Sequence, residues 1–486
     1  MTLGKRVTVA IAVPLLLVGG TEPVRAATEL VDAVRAGDRA AVVALLASDA
    51  GQAEVNAAEP DGSTALHFAV HQDDADIVER LVRAGASVTA ANRYGVTPLW
   101  LASLNGNAAT IVLLLDAGAD ANTVLPEGET VLMTAARTGK VDAVKVLAGA
   151  GADVNAKEGW HGQTALMWAA GEGHSAVVEL LVELGADVHA RSEGGFTALL
   201  FAAREGRIPV VQALMDAGAN LHDALPSRRR RPEDAVAAAD AGTGPDAFLI
   251  AAANAHYELA AWLLDQGADP NAAPQGWTAL HQVSWVRKAG IAGSNNPAPE
   301  GSGHMDSLEF VRKLVAKGAD VDARVTSRPN MGITSLNAIG ATPFLLAART
   351  ADVDLMRLMA ELGADPLLPN EDGTTPLLVA AGVGTSSPGE DPGTEPEVLE
   401  AVTLALELGN DLNAVDANGE TVMHGAAYKH LPSVVRFLAD TGARMEIWNQ
   451  PNAKGWTPLR IAEGVHRGMN IISSAPTAAA IREVMQ

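Results

Sequence analysis

The chain of 486 residues has no cysteine. That excludes disulfides, thiolate metal ligands, a cysteine nucleophile and lipid attachment at an N-terminal cysteine. Packing alone has to hold the fold. Aromatic residues are scarce, at 4%, so a few well-placed rings stand out. Basic residues are outnumbered, 35 Lys and Arg against 58 Asp and Glu, for a formal net charge of −23. Nucleic-acid binding needs a basic footprint, which this balance denies. The same balance favours a neutral or basic partner and repels anionic lipid.

Long apolar runs are also missing, with one short exception. Val7 to Val18 (VTVAIAVPLLLV) is 12 residues, too few to span a bilayer comfortably. Lys5 and Arg6 precede it, and Val24-Arg25-Ala26 follows with residues a signal peptidase accepts. The expectation is a bacterial-type signal peptide over 1–26, cleaved after Ala26, with the protein exported to the periplasm or secreted. No membrane span is expected in the mature chain, whose net charge would be near −25.

What the chain has in quantity is repetition. A Thr-(Ala/Pro/Val)-Leu phrase returns at Thr64, Thr97, Thr130, Thr164 and Thr197, at steps of 33, 33, 34 and 33 residues. Later copies begin at Thr278, Thr342, Thr375, Thr421 and Thr457. A Gly-led phrase keeps time with it, as in Gly118-Ala119-Asp120 and Gly151-Ala152-Asp153. A period near 33 marks a solenoid of small helical units, which offers an extended surface rather than a pocket for chemistry.

One unit can be built from its residues. Thr64 caps a first helix over Ala65 to His71. In other copies Pro98, Pro343, Pro376 and Pro458 take the first helical position, where no N–H is needed. A second helix spans Ala75 to Arg83, with Ile77, Val78, Leu81 and Val82 at helical spacing. Gly85 ends it, and a hairpin leads to the next Thr. Asp246 replaces Thr in a degenerate copy, giving eleven anchors. Residues 28–49 form an N-terminal helix pair without the anchor, and Thr457 to Gln486 form the C-terminal cap.

Thr64-Ala65-Leu66-His67-Phe68-Ala69, Thr278-Ala279-Leu280-His281 and Gly151-Ala152-Asp153-Val154-Asn155-Ala156 resemble the ankyrin repeat family. The resemblance covers roughly 28–486. It implies an all-α, ankyrin-type α-solenoid of about twelve helix pairs with projecting β-hairpins. In domain terms the expectation is an N-terminal block over 27–221, a basic and Ala-rich insertion over 222–245, and a C-terminal block over 246–486. By the same resemblance His67, His281, His424 and His174 are structural hydrogen-bonding positions.

The repeat is broken in five places. Arg228-Arg229-Arg230-Arg231 lies in the first break, and a loop near 287–306 lies in the second. The hairpin after Gly318 is lengthened over 324–340. Inserts at 382–396 and 464–476 interrupt the Thr375 unit and the last unit. Three of the five fall between first and second helix, which predicts a row of loops on one rim of the C-terminal half. Such loops often mark a binding face.

The function expected is a non-catalytic, exported protein-interaction scaffold that uses the concave hairpin and inner-helix surface, with no cofactor. Tyr94, Trp160, Phe196, Trp277, Trp285 and Arg287 are the candidate partner contacts, since rings and arginine dominate interface centres. One rival is an inhibitor or immunity-type protein that occludes a secreted enzyme. Another is an enzyme or metal-binding protein with its site near His304, Asp306 and Arg324. No Gly-x-Ser-x-Gly elbow, phosphate-cradling Gly loop or His-Glu-x-x-His motif supports the second.

Overall fold

Every repeat begins with the same local event, the capping of a short helix by its anchor. In the computed structural model, which describes residues 29–226, 244–288, 299–329, 334–386, 388, 392–467 and 470–486, Thr97 Oγ1 accepts the Trp100 N–H at 3.2 Å. Thr130 and Thr342 serve Met133 and Leu345 in the same way, at 3.1 and 3.2 Å. Asp246 Oδ1 accepts from Leu249 at 2.9 Å, so the degenerate copy is capped as well as the others.

Where the fourth residue of the phrase is His, the cap also reaches into the next repeat. The Thr64 N–H donates to His67 Nδ1 at 3.1 Å, which leaves the ring proton on Nε2. That nitrogen donates to the Val96 carbonyl at 3.0 Å. His281 and His424 repeat the arrangement toward Ala341 and Trp456. Burial lowers the pKa of all three imidazoles, to about 4 for His281 and His424.

The chain divides into two compact units, one reaching to Asp223 and one starting at Ala224. The first holds helix pairs Glu29–Arg35/Arg39–Leu46, Ala65–His71/Ala75–Arg83, Pro98–Asn105/Ala108–Asp116, Val131–Arg137/Val141–Gly149, Ala165–Glu172/Ser175–Glu183 and Ala198–Arg204/Ile208–Asp216. The second holds Ala247–Ala253/Tyr257–Asp265, Ala279–Val286/Ser307–Ala316, Pro343–Arg349/Val353–Glu361, Pro376–Ala381/Glu395–Glu407, Val422–Lys429/Pro432–Asp440 and Pro458–Glu463/Ala475–Val484. With the short helices Asp49–Ala53 and Met445–Trp448, the described residues form 26 helices, twelve of the pairs being of repeat type. Within each unit first helix packs on first helix, and the core is the row of Leu, Val and Ala side chains between neighbours, such as Leu66, Leu99, Leu132 and Leu166. No helix of the described residues is long and apolar enough to cross a membrane.

On the far side an asparagine ties several repeats to the next. Asn122 Nδ2 donates to the Gly151 carbonyl at 3.0 Å, and its Oδ1 accepts the Asp153 N–H at 2.8 Å. Gly151 holds φ near +90°, a conformation that strains any residue with a Cβ. Asn155 and Asn271 make the same pair of bonds.

The hairpins differ from the expectation of projecting β-structure. Their arms meet through isolated bridges, such as Ala58 with Thr64 and Val124 with Thr130, and through single backbone bonds, such as Asn92 N to Val96 O at 3.0 Å. Adjacent tips join by single backbone bonds, such as Arg93 N to Asp61 O at 2.8 Å and Gly159 N to Glu127 O at 2.9 Å. Tight turns at each tip leave too few residues in register for a ladder. The one two-stranded antiparallel ladder among the described residues, Val465–Arg467 with Asn470–Ile472, lies in the insertion of the last repeat.

The interruptions at 287–306, 382–396 and 464–476 do separate first from second helices. The proposed signal segment 1–26, the Arg228–Arg231 run and residues 289–298 lie outside the described residues.

Candidate partner-binding surface

The residue before each anchor is extended, and the helix that follows presents its fourth and seventh residues after the anchor on one face. These three positions therefore meet above the first helix. In the Thr130 repeat Glu129 reaches Thr134 Oγ1 at 2.7 Å and Arg137 at 3.4 Å. In the Thr197 repeat Phe196 lies 5.0 Å from Phe201, with the Arg204 guanidinium over both rings at 5.4 and 5.0 Å. Neighbouring repeats extend the pattern. Arg137 lies 5.0 Å over Trp168, and Arg35 lies 4.6 Å over Phe68.

Each of these arginines is also paired with a carboxylate: Arg35 with Glu59 at 2.6 Å, Arg137 with Glu129, and Arg204 with Glu205 at 2.9 Å. The first unit therefore carries rings, guanidinium planes and acids in alternation along its first helices. Phe196 was the sequence-predicted member. Phe68, Arg35, Arg137 and Arg204 complete the surface, over a buried Phe201. All but Arg35, whose helix pair lacks the anchor, follow from the sequence once positions four and seven after the anchor are read as one column with the residue before it.

Tyr94 and Trp160 stand at hairpin tips of the same unit and are 54% and 73% exposed. The Arg93 guanidinium lies 4.8 Å over the Tyr94 ring and donates to its hydroxyl at 2.6 Å. The turn that carries Trp160 is built on Glu158. Its carboxylate accepts the N–H groups of Trp160, His161 and Gln163 at 2.6 to 2.9 Å. Burial opposes ionisation of Glu158, but these backbone donors outweigh it and hold the carboxyl below its usual range. The indole is therefore presented on a rigid turn.

The three candidates in the second unit are placed differently. Trp277 and Trp285 meet edge to face at 5.9 Å, and Trp277 Nε1 donates to Gln282 at 3.1 Å. Both rings are half-buried against a core of Val325, Leu336, Ala338, Ala341, Leu345, Leu346 and Val379. Four of those residues come from the lengthened 324–340 hairpin or its end, which folds onto the first helices. It is pinned there by Ser335 N to Gly384 O at 2.9 Å.

Arg287 is committed to an ion pair. Its Nε and Nη2 reach Asp352 at 2.7 and 3.3 Å, and its Nη1 donates to Ser307 Oγ. Asp352 is fully buried and caps the helix Val353–Glu361 through Leu355. Lys288 beside it reaches Glu397 at 2.7 Å and the Ala351 carbonyl at 3.1 Å. The root of the 287–306 loop is thus stapled to the following repeats, and this guanidinium is not displayed to a partner.

His304, Asp306 and Arg324 do not converge. The His304 N–H donates to Glu258, Asp306 caps Ser307–Ala316, and Arg324 donates to the carbonyls of Gly340 and Pro369. Among the described residues no group of three or more His, Asp or Glu side chains is arranged to hold a metal ion.

Comparison with known proteins agrees with the repeat architecture. Family models of ankyrin repeats match residues 30–124, 110–192 and 132–224, and a second such model matches 248–285. The human ankyrin repeat and SOCS box protein 16 is 30% identical over 141 residues, covering 28% of this chain and 25% of that protein. The E3 ubiquitin-protein ligase KEG of Arabidopsis thaliana is 25% identical over 214 residues, 35% of this chain and 13% of that one. The chain therefore spans a quarter or less of the length of these relatives.

Proposed function

Because the chain is an ankyrin-repeat protein, we propose that it is a non-catalytic scaffold that holds a folded, neutral or basic protein. The proposed contact surface is the first-helix face and hairpin tips of the first unit. The observation that carries this is the repeated stacking of Arg35, Arg137 and Arg204 on Phe68, Trp168, Phe196 and Phe201, flanked by exposed Tyr94 and Trp160. Rings and arginines concentrate binding energy because they bury much area for little lost freedom. A guanidinium already stacked and paired loses less on binding than a free one. The acid excess elsewhere adds steering toward a basic partner. No ligase activity is proposed from the Arabidopsis relative, since the shared part is a small fraction of that protein.

We place this activity outside the cytoplasm on the basis of the 1–26 pattern. One experiment addresses both points: affinity capture of the C-terminally tagged full chain from the envelope and medium of its host, with N-terminal sequencing of the captured chain. The expected outcome is a mature N-terminus at Ala27 and a saturable protein partner. That partner should be lost in a Tyr94→Ala/Trp160→Ala/Arg204→Ala variant that still melts like the parent. Capture unchanged by the triple substitution refutes the surface, and an intact N-terminus in the cytoplasm refutes the export.

A further inference from the structure

The second unit contains a cavity of about 270 Å³ to which four repeats contribute, from Arg328 to Lys454. Its wall carries three carboxyl groups. Asp372 is held by amide donors, Asn337 Nδ2 at 2.9 Å and Asn418 Nδ2 at 3.2 Å. Asp416 accepts the Thr374 hydroxyl at 2.8 Å and the N–H groups of Asn418 and Glu420 at 2.9 Å.

Glu420 is different. Its Oε1 accepts Tyr428 Oη–H and Asn452 Nδ2, both at 3.0 Å, and those two donors are bonded to each other at 2.9 Å. Its Oε2 is buried with no hydrogen-bond partner among the described residues, in a residue only 8% exposed. A buried carboxyl oxygen without a donor costs about 1–3 kcal/mol or more, so its retention beside a cavity calls for something that fills the gap. The charged groups that line the cavity with Glu420 are Asp372 and Asp416, both acidic, and Arg328 and Lys454, both basic. With Glu420 ionised, the wall carries one negative charge in excess.

We propose that this cavity captures a single guanidinium or ammonium group, whose N–H donors satisfy Glu420 Oε2. A planar guanidinium brings five donors and no acceptor, which suits a wall of carboxylates, amide oxygens and hydroxyls. The cation could come from a small molecule or from an arginine or lysine side chain of a protein, and the chemistry is the same. The site does not depend on the first unit's proposed partner surface. Burial, aided by the Asp416 charge and opposed by Tyr428, Asn452 and Lys454, pushes the Glu420 carboxyl up to about 7. In the empty site it is therefore half-protonated near neutrality, and a docking cation displaces the proton.

Calorimetric titration of the full chain with methylguanidinium, with a blocked tripeptide bearing a central arginine, and with acetate tests the site. Saturable one-to-one binding of methylguanidinium is expected. Its affinity should rise about tenfold per pH unit below pH 7 and level off above it, because binding releases one proton. Binding of the tripeptide as well points to a side-chain source, and methylguanidinium alone to a small molecule; either supports the capture site. Glu420→Gln should weaken binding at least tenfold and flatten the pH profile. Lys454→Ala, which removes a like charge from the wall, should strengthen it. The proposal is overturned if neither cation binds saturably, if Glu420→Gln changes neither affinity nor profile, or if acetate binds instead and tightens as pH falls. The parent's own pH profile decides the matter even if Glu420→Gln fails to fold.

Discussion

The two units are made from the same repeat, yet they use the face above their first helices in opposite ways. In the first unit the spacing stays at 33 or 34 residues and no inserted hairpin lies on that face, where half-buried rings and arginines alternate. In the second unit the spacing breaks, and the lengthened 324–340 hairpin lies on the corresponding positions. Its Val325, Leu336 and Ala338 pack against the half-buried Trp277–Trp285 pair. The same three positions around the anchor thus become a display surface where the repeat is regular. They become core, or the wall of a cavity, where it is interrupted: Glu129–Arg137 is partly covered and Phe196 lies under an exposed Arg204, while Glu420–Tyr428 closes inward. Insertion does more than decorate a repeat array, because the added segment finds an apolar or polar column ready to pack on.

The largest expected effect belongs to the staple at the root of an insertion. Arg287→Ala would leave the fully buried Asp352 without its cation. Breaking a buried pair from one side costs about 3–5 kcal/mol. Chemical denaturation should show that loss in the second unit, whereas Arg204→Ala in the first, whose acid partner is exposed, should cost under about 1 kcal/mol. Equal losses would mean that the two units do not differ as described.

The next effect is set by pH. His281 and His424 titrate near 4 when folded and near 6.5 when unfolded. The unfolded state binds more protons between those values, so stability falls as pH drops from about 6.5 to 4, on the order of 3 kcal/mol per histidine. Glu420 works the other way. Its folded pKa, about 7, lies above the unfolded value, so its contribution declines as pH rises from 4.5 to 7. The second unit is therefore partly buffered against acid, and Glu420→Gln should steepen its acid loss while leaving the first unit's unchanged. Urea unfolding at pH 7, 6 and 5 checks this; a shallower acid loss in Glu420→Gln would contradict it.

How much of this was legible in the chain follows from where each signal resides. The caps and helix bounds depend on residues within one period, so Ala65–His71 and Ala75–Arg83 appear with the bounds read from sequence. The family resemblance implies β-hairpins, but single tip-to-tip bonds replace a ladder. Trp277, Trp285 and Arg287 carried the composition of an interface. What buries them comes from 40 to 65 residues away, through Val325, Leu336 and Asp352, and no local pattern announces that. The Glu420 cavity was invisible for the same reason, since four repeats contribute to its wall. A trace existed in the pairing of Glu420 with Tyr428, the same offset that joins Glu129 to Arg137.

The smallest expected change in stability separates display from packing most sharply. Trp160 is 73% exposed and Tyr94 54%, so truncating both removes little buried area and should shift stability by no more than about 0.5 kcal/mol. Trp277→Ala with Trp285→Ala deletes two rings from a packed cluster, and even half-buried rings should then cost about 2–3 kcal/mol each. The two doubles carry comparable losses of aromatic surface, so composition alone predicts similar outcomes. Position predicts a stable variant that fails to capture a partner in the first case and a destabilised variant in the second. Thermal melts alongside partner capture decide between them. A stable Trp277→Ala/Trp285→Ala variant that loses capture would move the working surface to the second unit, and with it the meaning of the inserted hairpin.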